Sequence, residues 1–207
     1  MNSNYIIFDI ETVKRPLSDR IRADIVRKLE RKNLKTKTIE QQLAELEEKR
    51  QFMPGQSQIV AIGFYNYSND KTDYYFSENE NEIANLVSSY LATFFNEMTK
   101  LVGFNIKGFD LQQLMILLSK SQIEKRFDRY SFVDLMNDPF GYYTDKFSLE
   151  YYSAIFGLSP KKEGGDDIQG LIDLDKKDNG SRLRDYCLND VKITKELFDC
   201  YSNFYSF

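Results

Sequence analysis

The stretch Tyr5-Ile6-Ile7-Phe8-Asp9-Ile10-Glu11-Thr12 constrains this chain more than any other. Its run of β-branched and aromatic residues is that of a buried strand, yet it carries two carboxylates. Successive side chains of a strand point to opposite faces, so Asp9 and Glu11, two residues apart, share one face. Two like charges side by side on a core strand repel, and taking them out of water is costly unless something positive lies between them. A bound divalent cation is the simplest such partner. The expectation is a fold built around this strand, with Asp9 and Glu11 opening a metal site that later carboxylates complete.

Composition narrows the chemistry. The chain contains no histidine, which removes Ser-His-Asp and Cys-His nucleophile systems, His-ligated zinc and His as general base. Its two cysteines, Cys187 and Cys200, are too few for a Cys-rich zinc site. Thirteen residues apart on one predicted helix, they stand about 20 Å from each other, beyond disulfide reach. That fits a reducing setting, the cytoplasm, or the host cytoplasm for a viral protein. No apolar run approaches the roughly 18 residues of a membrane span, and the first residues lack the layout of a signal peptide. A net charge of −4 excludes a surface coated throughout with basic residues but leaves room for a local basic patch.

Residues 13–55 read as a helical hairpin inserted after the first strand. Pro16 and Leu17 suit a helix start, and Ile21, Ile25 and Leu29 recur every four residues. Thr38-Ile39-Glu40-Gln41 suits the cap of a second helix bearing Leu43 and Leu46, with the break near Asn33-Leu34. The first half is basic: Lys14, Arg15, Arg20, Arg22, Arg27, Lys28, Arg31, Lys32, Lys35 and Lys37 against Asp19, Asp24 and Glu30. Such a run is either a solvated charged face or an arm that contacts phosphates, with Arg27, Lys28, Arg31 and Lys32 as the contacts.

Residues 59–65 read as a second, central strand. A turn at Asn69-Asp70-Lys71 and a third strand over 72–76 make the first three strands an antiparallel meander. An amphipathic helix is expected over 81–100, with Ile83, Leu86, Val87, Tyr90, Leu91, Phe94 and Phe95 inward. Short strands follow at 101–105 and 132–135. Helices follow at 110–119, 148–156 (ended by Gly157) and 182–201, with 159–181 as loop containing one helical turn. The pattern is α/β: a mixed five-stranded sheet flanked by helices, in a single domain over 1–207.

Two later segments carry carboxylates where chemistry could gather. In Gly103-Phe104-Asn105-Ile106-Lys107-Gly108-Phe109-Asp110, Asp110 falls where a strand leads into a helix; by itself it suits an N-cap or first-turn position. In Leu183-Arg184-Asp185-Tyr186-Cys187-Leu188-Asn189-Asp190-Val191, Tyr186 and Asp190 are four apart on one helix face. Tyr186 alone reads equally as core packing, whereas an aspartate on a core-facing stripe is expensive unless coordinated. Asp134 reads as a strand-end residue, and Asp166-Asp167 as exposed loop.

Together these residues resemble the three motifs of the DEDD exonucleases, Tyr subclass, on the ribonuclease H-like fold. Asp-x-Glu is Asp9-Ile10-Glu11, Asn-x(2–3)-Phe/Tyr-Asp is residues 105–110, and Tyr-x(3)-Asp is residues 186–190. They occur in the family's order, and the resemblance spans residues 5 to about 200. Asp-Ile-Glu-Thr, Gly-Phe-Asn-x(3)-Phe-Asp-Leu and Tyr-Cys-Leu-x-Asp-Val are similar to the wording of proofreading domains of family-B DNA polymerases and their stand-alone relatives. Phe147-Ser148-Leu149-Glu150 and Phe156-Gly157-Leu158 add to that similarity. The His subclass replaces the tyrosine by histidine, which this chain lacks. The basic hairpin is longer than a minimal exonuclease domain needs.

The resemblance implies a metal-dependent 3′→5′ exonuclease releasing 5′-mononucleotides from DNA, with two divalent ions, Mg²⁺ or Mn²⁺. Asp9 would bridge them, Glu11 and Asp190 would complete one site, and Asp110 would hold the second. Tyr186 would orient the attacking water; a phenol with pKa about 10 is a poor base. Thr12 and the Ile10 backbone would lie near the terminal nucleotide. Asn105 and Phe109 would line the strand path, Phe109 by stacking. The implied partners are a single-stranded or frayed 3′ end and a separate DNA polymerase or replication protein, in proofreading or repair, with no membrane. The alternatives are an RNA 3′-exonuclease and a catalytically weak DNA-binding subunit of a replication complex.

Overall fold

The first strand, β1 (Asn4–Lys14), runs through the middle of a five-stranded sheet. The structure is a computed structural model describing residues 4–16, 18–32, 38–50, 53–120, 127, 131–138, 147–165 and 167–203. On one side β1 pairs antiparallel with β2 (Ser57–Asn66), which pairs antiparallel with β3 (Lys71–Phe76). On the other side it pairs parallel with β4 (Thr99–Gly103), and β4 pairs parallel with β5 (Phe132–Asp134). The order is β3-β2-β1-β4-β5. The five strands and the antiparallel meander are as the sequence predicts, but the centre is β1 rather than the 59–65 stretch. A meander's first strand becomes central once a later strand, here β4, closes on its free side.

Two helices, α1 (Asp19–Lys32) and α2 (Ile39–Lys49), follow β1 and pack on each other. Thr38 and Gln41 form the expected capping box. Ile25, Val26 and Leu29 of α1 are only half-buried and Ile21 is exposed, so the helix stands off the core. Leu17, the break at Asn33-Leu34, Lys35, Lys37 and Asp166 lie outside the described residues, as does the side chain of Lys32. The base of the hairpin is tied down by arginines. Arg15 binds Glu80, which also binds Lys120, and the buried Arg50 donates to the carbonyl of Arg15 and to Glu47.

The sheet is sandwiched. Ile6, Phe8 and Ile10 point to the side covered by α3 (Glu80–Phe94) and α4 (Asp110–Leu118). Ile7 points to the other side, under α5 (Leu149–Phe156) and α7 (Arg182–Ser202), and Val13 packs there against α6 (Ile168–Asp178) and α7. Two helices differ from expectation. The 81–100 helix is α3 and stops at Phe94. Asn96 then accepts from the Met98 N–H at 2.9 Å and the Thr99 hydroxyl at 3.1 Å, turning the chain into β4. Within 159–181 lies not one turn but α6, capped by Asp167 and anchored by buried Ile168 and Ile172. Among the described residues, no helix is long and apolar enough to cross a membrane.

Candidate active site

Along β1 the side facing α7 reads Ile7, Asp9, Glu11, Val13. Ile7 belongs to one apolar cluster and Val13 to another, and the two carboxylates fall in the gap between them. The β1–β2 register slips between Glu11 and Thr12, a bulge that bends the strand at the site. Opposite Asp9 on β2 stands Gly63. A Cβ there would come within 2.8 Å of Val191 Cγ2 and 3.2 Å of Cys187 Sγ. The missing side chain lets α7 lie directly on the sheet, and Cys187 Sγ approaches the Asp9 carbonyl at 3.9 Å. Tyr186 and Asp190 are thereby carried to the acidic pair.

Ligand atoms of Asp9, Glu11 and Cys187 all lie within 4.8 Å of one another. Asp110 and Asp190 stand outside that triangle but act on it electrostatically. Asp110 occupies the first turn of α4 rather than its N-cap, at the carboxyl end of β4 beside β1. Asp9 is half-buried, while Glu11, Asp110 and Asp190 are buried.

Burial raises the Asp9 carboxyl well above the usual carboxylate range, and Glu11, Asp190 and Asp110 push it further; the Lys161 ammonium opposes them. Glu11 is raised well above its range by burial first and Asp190 next. Burial pushes Asp110 up to about 7 against the pull of its own backbone N–H, with Asp134 adding to the rise. Asp190 is raised by burial and held back by Lys161 and Tyr186. Tyr186 is pushed far above the ordinary phenol range, by burial and then by Asp190, Glu11 and Asp9, so it stays neutral. Cys187 stays a thiol, raised by burial and then by Glu11 and Asp9.

Two buried oxygens, Glu11 Oε1 and Asp190 Oδ1, have no hydrogen-bond partner among the described residues. Proteins rarely leave buried acceptors bare, and a hard cation with oxygen ligands satisfies them. The oxygen donors fit Mg²⁺ or Mn²⁺ better than a thiolate-seeking metal, because the neutral Cys187 is no ligand for a hard ion.

Lys161 joins the site with no motif to announce it. Its Nζ pairs with Asp190 Oδ2 at 2.9 Å and lies 5.7 Å from the centroid of the Tyr186 ring. Burial works against its charge, but Asp190, Asp9 and Glu11 outweigh burial and hold the ammonium above the ordinary lysine range. In the sequence it stands in the doublet Lys161-Lys162, just ahead of Glu163, Asp166 and Asp167. Gly165 is equally silent in the sequence. A Cβ there would fall 2.2 Å from the Tyr186 hydroxyl, so this glycine makes room for the phenol. Lys161, Lys162, Gly165 and Tyr186 line a cleft of about 560 Å³ together with Ser148 and Glu150.

Ile10 and Thr12 are buried in β1. Asn105 takes a left-handed conformation (φ 59°) in the loop before α4. Phe109 is half-buried against the core under α3 and α4. Asp134 is more than a strand end: fully buried, it accepts from the Asn105 and Lys107 N–H groups at 2.9 and 3.1 Å and from Asn137 Nδ2 at 2.7 Å, fixing the loop that presents Asp110. Asp167 is exposed and caps α6. Arg27, Lys28 and Arg31 are exposed on α1, and Arg27 pairs with Asp24 at 2.9 Å.

A family model described as RNase_H superfamily (RNase_H_2) matches residues 47–164, more than half the chain. The chain belongs to the RNase H superfamily. The matched segment includes Asp110 but neither Asp9 and Glu11 nor Tyr186 and Asp190. Among solved structures, the RNase H-like fold here is similar to part of the family B DNA polymerase of the hyperthermophilic archaeon Pyrobaculum calidifontis. The TM-score is 0.61 and the identity 16%, over 99% of this chain and 25% of that one. E. coli Exonuclease I in complex with a dT13 oligonucleotide matches with a TM-score of 0.42 and 11% identity, over 97% of this chain and 41% of that one. The chain thus spans about a quarter of the polymerase and two fifths of the exonuclease. No curated protein matches the sequence.

Proposed function

We propose that the chain is a 3′→5′ exonuclease of the DEDD Tyr subclass, removing 5′-mononucleotides from the 3′ end of DNA. Asp9, Glu11, Asp110 and Asp190 would hold two divalent cations, Mg²⁺ or Mn²⁺. The observation that carries this reading is the pair of buried oxygens, Glu11 Oε1 and Asp190 Oδ1, that have no hydrogen-bond partner among the described residues, close to Asp9 in an RNase H-like fold. When bound, the cations would offset the charge of the scissile phosphate and lower the pKa of the attacking water.

The protein residues supply position. The neutral Tyr186 hydroxyl, given room by Gly165, holds a water in line rather than removing its proton. The Lys161 ammonium lies at the mouth of the acidic cluster, where it can trade Asp190 for a substrate phosphate. Asp134 holds the loop of Asn105 and Lys107, and with it the approach of Asp110. The fold shared with part of a family-B polymerase supports action on a frayed or single-stranded 3′ end, in proofreading or repair and with a separate polymerase as partner.

The test uses DNA labelled at either end. With Mg²⁺ or Mn²⁺, the 3′ label should leave at once as mononucleotide while 5′-labelled strands shorten to a ladder. Asp9→Ala should fold normally and release nothing. Equal release by wild type and Asp9→Ala would remove the enzyme reading.

A further inference from the structure

Beside the cleft, α5 exposes aromatic surface that the fold does not use. Its core side is Leu149, Tyr152 and Ser153. Phe147 and Tyr151, four residues apart, lie off that side and remain 40% and 42% exposed. Their rings stack on each other with centroids 4.1 Å apart and planes 20° from parallel. Ser148 caps α5 by accepting from the Tyr151 N–H at 3.2 Å, and both Ser148 and Glu150 line the cleft that holds Tyr186 and Lys161. The stacked pair therefore adjoins, along the chain, two residues that line that cleft, Ser148 and Glu150. It is also tied inward: Tyr151 meets Tyr152 edge-on at 5.7 Å, and Tyr152 meets Phe104 at 5.7 Å, next to the loop that presents Asp110.

We infer that Phe147 and Tyr151 form a stacking platform for bases of a single-stranded nucleic acid whose 3′ end lies in the cleft. The inference rests on the nuclease reading of the cleft and extends it to nucleotides upstream of the reacting one. Two flat rings already in parallel contact present an open π-face, and any base can extend such a stack without sequence preference. The cleft walls carry both signs, Lys161 and Lys162 against Glu150 and Glu163. Phosphate attraction there is therefore partly cancelled, and stacking supplies what charge does not. Ile155 and Phe156 extend the exposed apolar surface along α5; a protein partner on that surface is the competing occupant.

The experiment measures binding in EDTA, without turnover, by fluorescence anisotropy of labelled oligodeoxythymidylates from the dinucleotide to the octanucleotide. Wild-type affinity should step up once the strand is long enough to reach the platform. The F147L/Y151L double variant should lose that step and bind the longer strands at least about fivefold more weakly. F147Y and Y151F, which keep the rings, should retain it, and 5-iodouracil at one upstream position should crosslink to Phe147 or Tyr151. Equal binding by wild type and the double variant at every length would overturn the platform. So would a loss as large for the dinucleotide as for the octanucleotide, or a change in self-association alone. Wild type that binds in EDTA but releases no nucleotide with Mn²⁺ would remove the nuclease reading and leave the platform standing. Wild type that degrades DNA while the double variant binds equally would do the reverse.

Discussion

The two sides of β1 are built for opposite ends. Toward α3 and α4, Ile6, Phe8 and Ile10 form an uninterrupted apolar row, and the first two are fully buried. Toward α7, the same strand reads Ile7, Asp9, Glu11, Val13, with two carboxylates in the place of core residues. The first side contributes stability through burial. The second gives it up: each carboxyl is held above its ordinary pKa by burial and by the other acids around it. A strand can carry such a cost because its opposite face is packed, β2 pairs along the acidic stretch, and β4 holds the strand's first half, Asn4–Ile7.

Substitution on the two sides should therefore act in opposite directions. Phe8→Ala should cost about 3–5 kcal/mol of unfolding free energy, as expected for a large ring removed from a tight core. Asp9→Asn should stabilise the metal-free protein. The sign follows from linkage: a carboxyl raised in the folded state contributes stability below its ordinary pKa of 3.8 and loses it as pH climbs toward the raised value. The gain from Asp9→Asn should thus be larger at pH 8 than at pH 5. Denaturant melts at both pH values check this, and a loss of stability at both would break the contrast.

A smaller effect concerns the fit of α7 to the acidic side. Gly63→Ala would force Val191 and Cys187 away from β2 and should cost about 1–3 kcal/mol by overpacking. Because the displaced helix carries Tyr186 and Asp190, nucleotide release should fall further than the stability loss explains. Unchanged turnover in a folded Gly63→Ala protein would show that the close approach is packing alone.

The smallest effect belongs to the hairpin, which stands outside the contrast. Neutralising Arg27, Lys28, Arg31 and Lys32 should leave stability nearly untouched. It should flatten the salt dependence of single-strand binding by about 0.7 for each phosphate that is no longer neutralised. An unchanged slope would return α1 to a solvated charged face.

The sequence shows most of what lies along single elements. The acidic strand, the capping box at Thr38, and the Tyr186–Asp190 spacing on one helix each depend on neighbours a few residues away. What it hides depends on distant contacts. The pairing of Lys161 with Asp190 crosses a stretch that reads as loop, because α6 carries Gly170 in its first turn and its apolar face is short: Ile168 and Ile172 buried, Leu171 packed beside them. The end of α3 is hidden because apolar residues continue past Phe94, while the side chain of Asn96 decides the turn. Asp134 looks like any strand-end acid until the Asn105 loop folds over it. Gly63 carries no sequence signal of its own; only the seating of α7 shows why a side chain is missing there.

The most direct test of the acidic side is calorimetric titration of the metal-free protein with Mn²⁺, in buffers of different ionisation enthalpy, at pH 6 and pH 8. Carboxyls raised in the fold, Asp110 to about 7 among them, must lose protons before they can hold a cation. The account predicts binding that releases protons at pH 6, tightens at pH 8, and disappears in Asp9→Asn. Binding that ignores both pH and Asp9, or no binding at all, would contradict it.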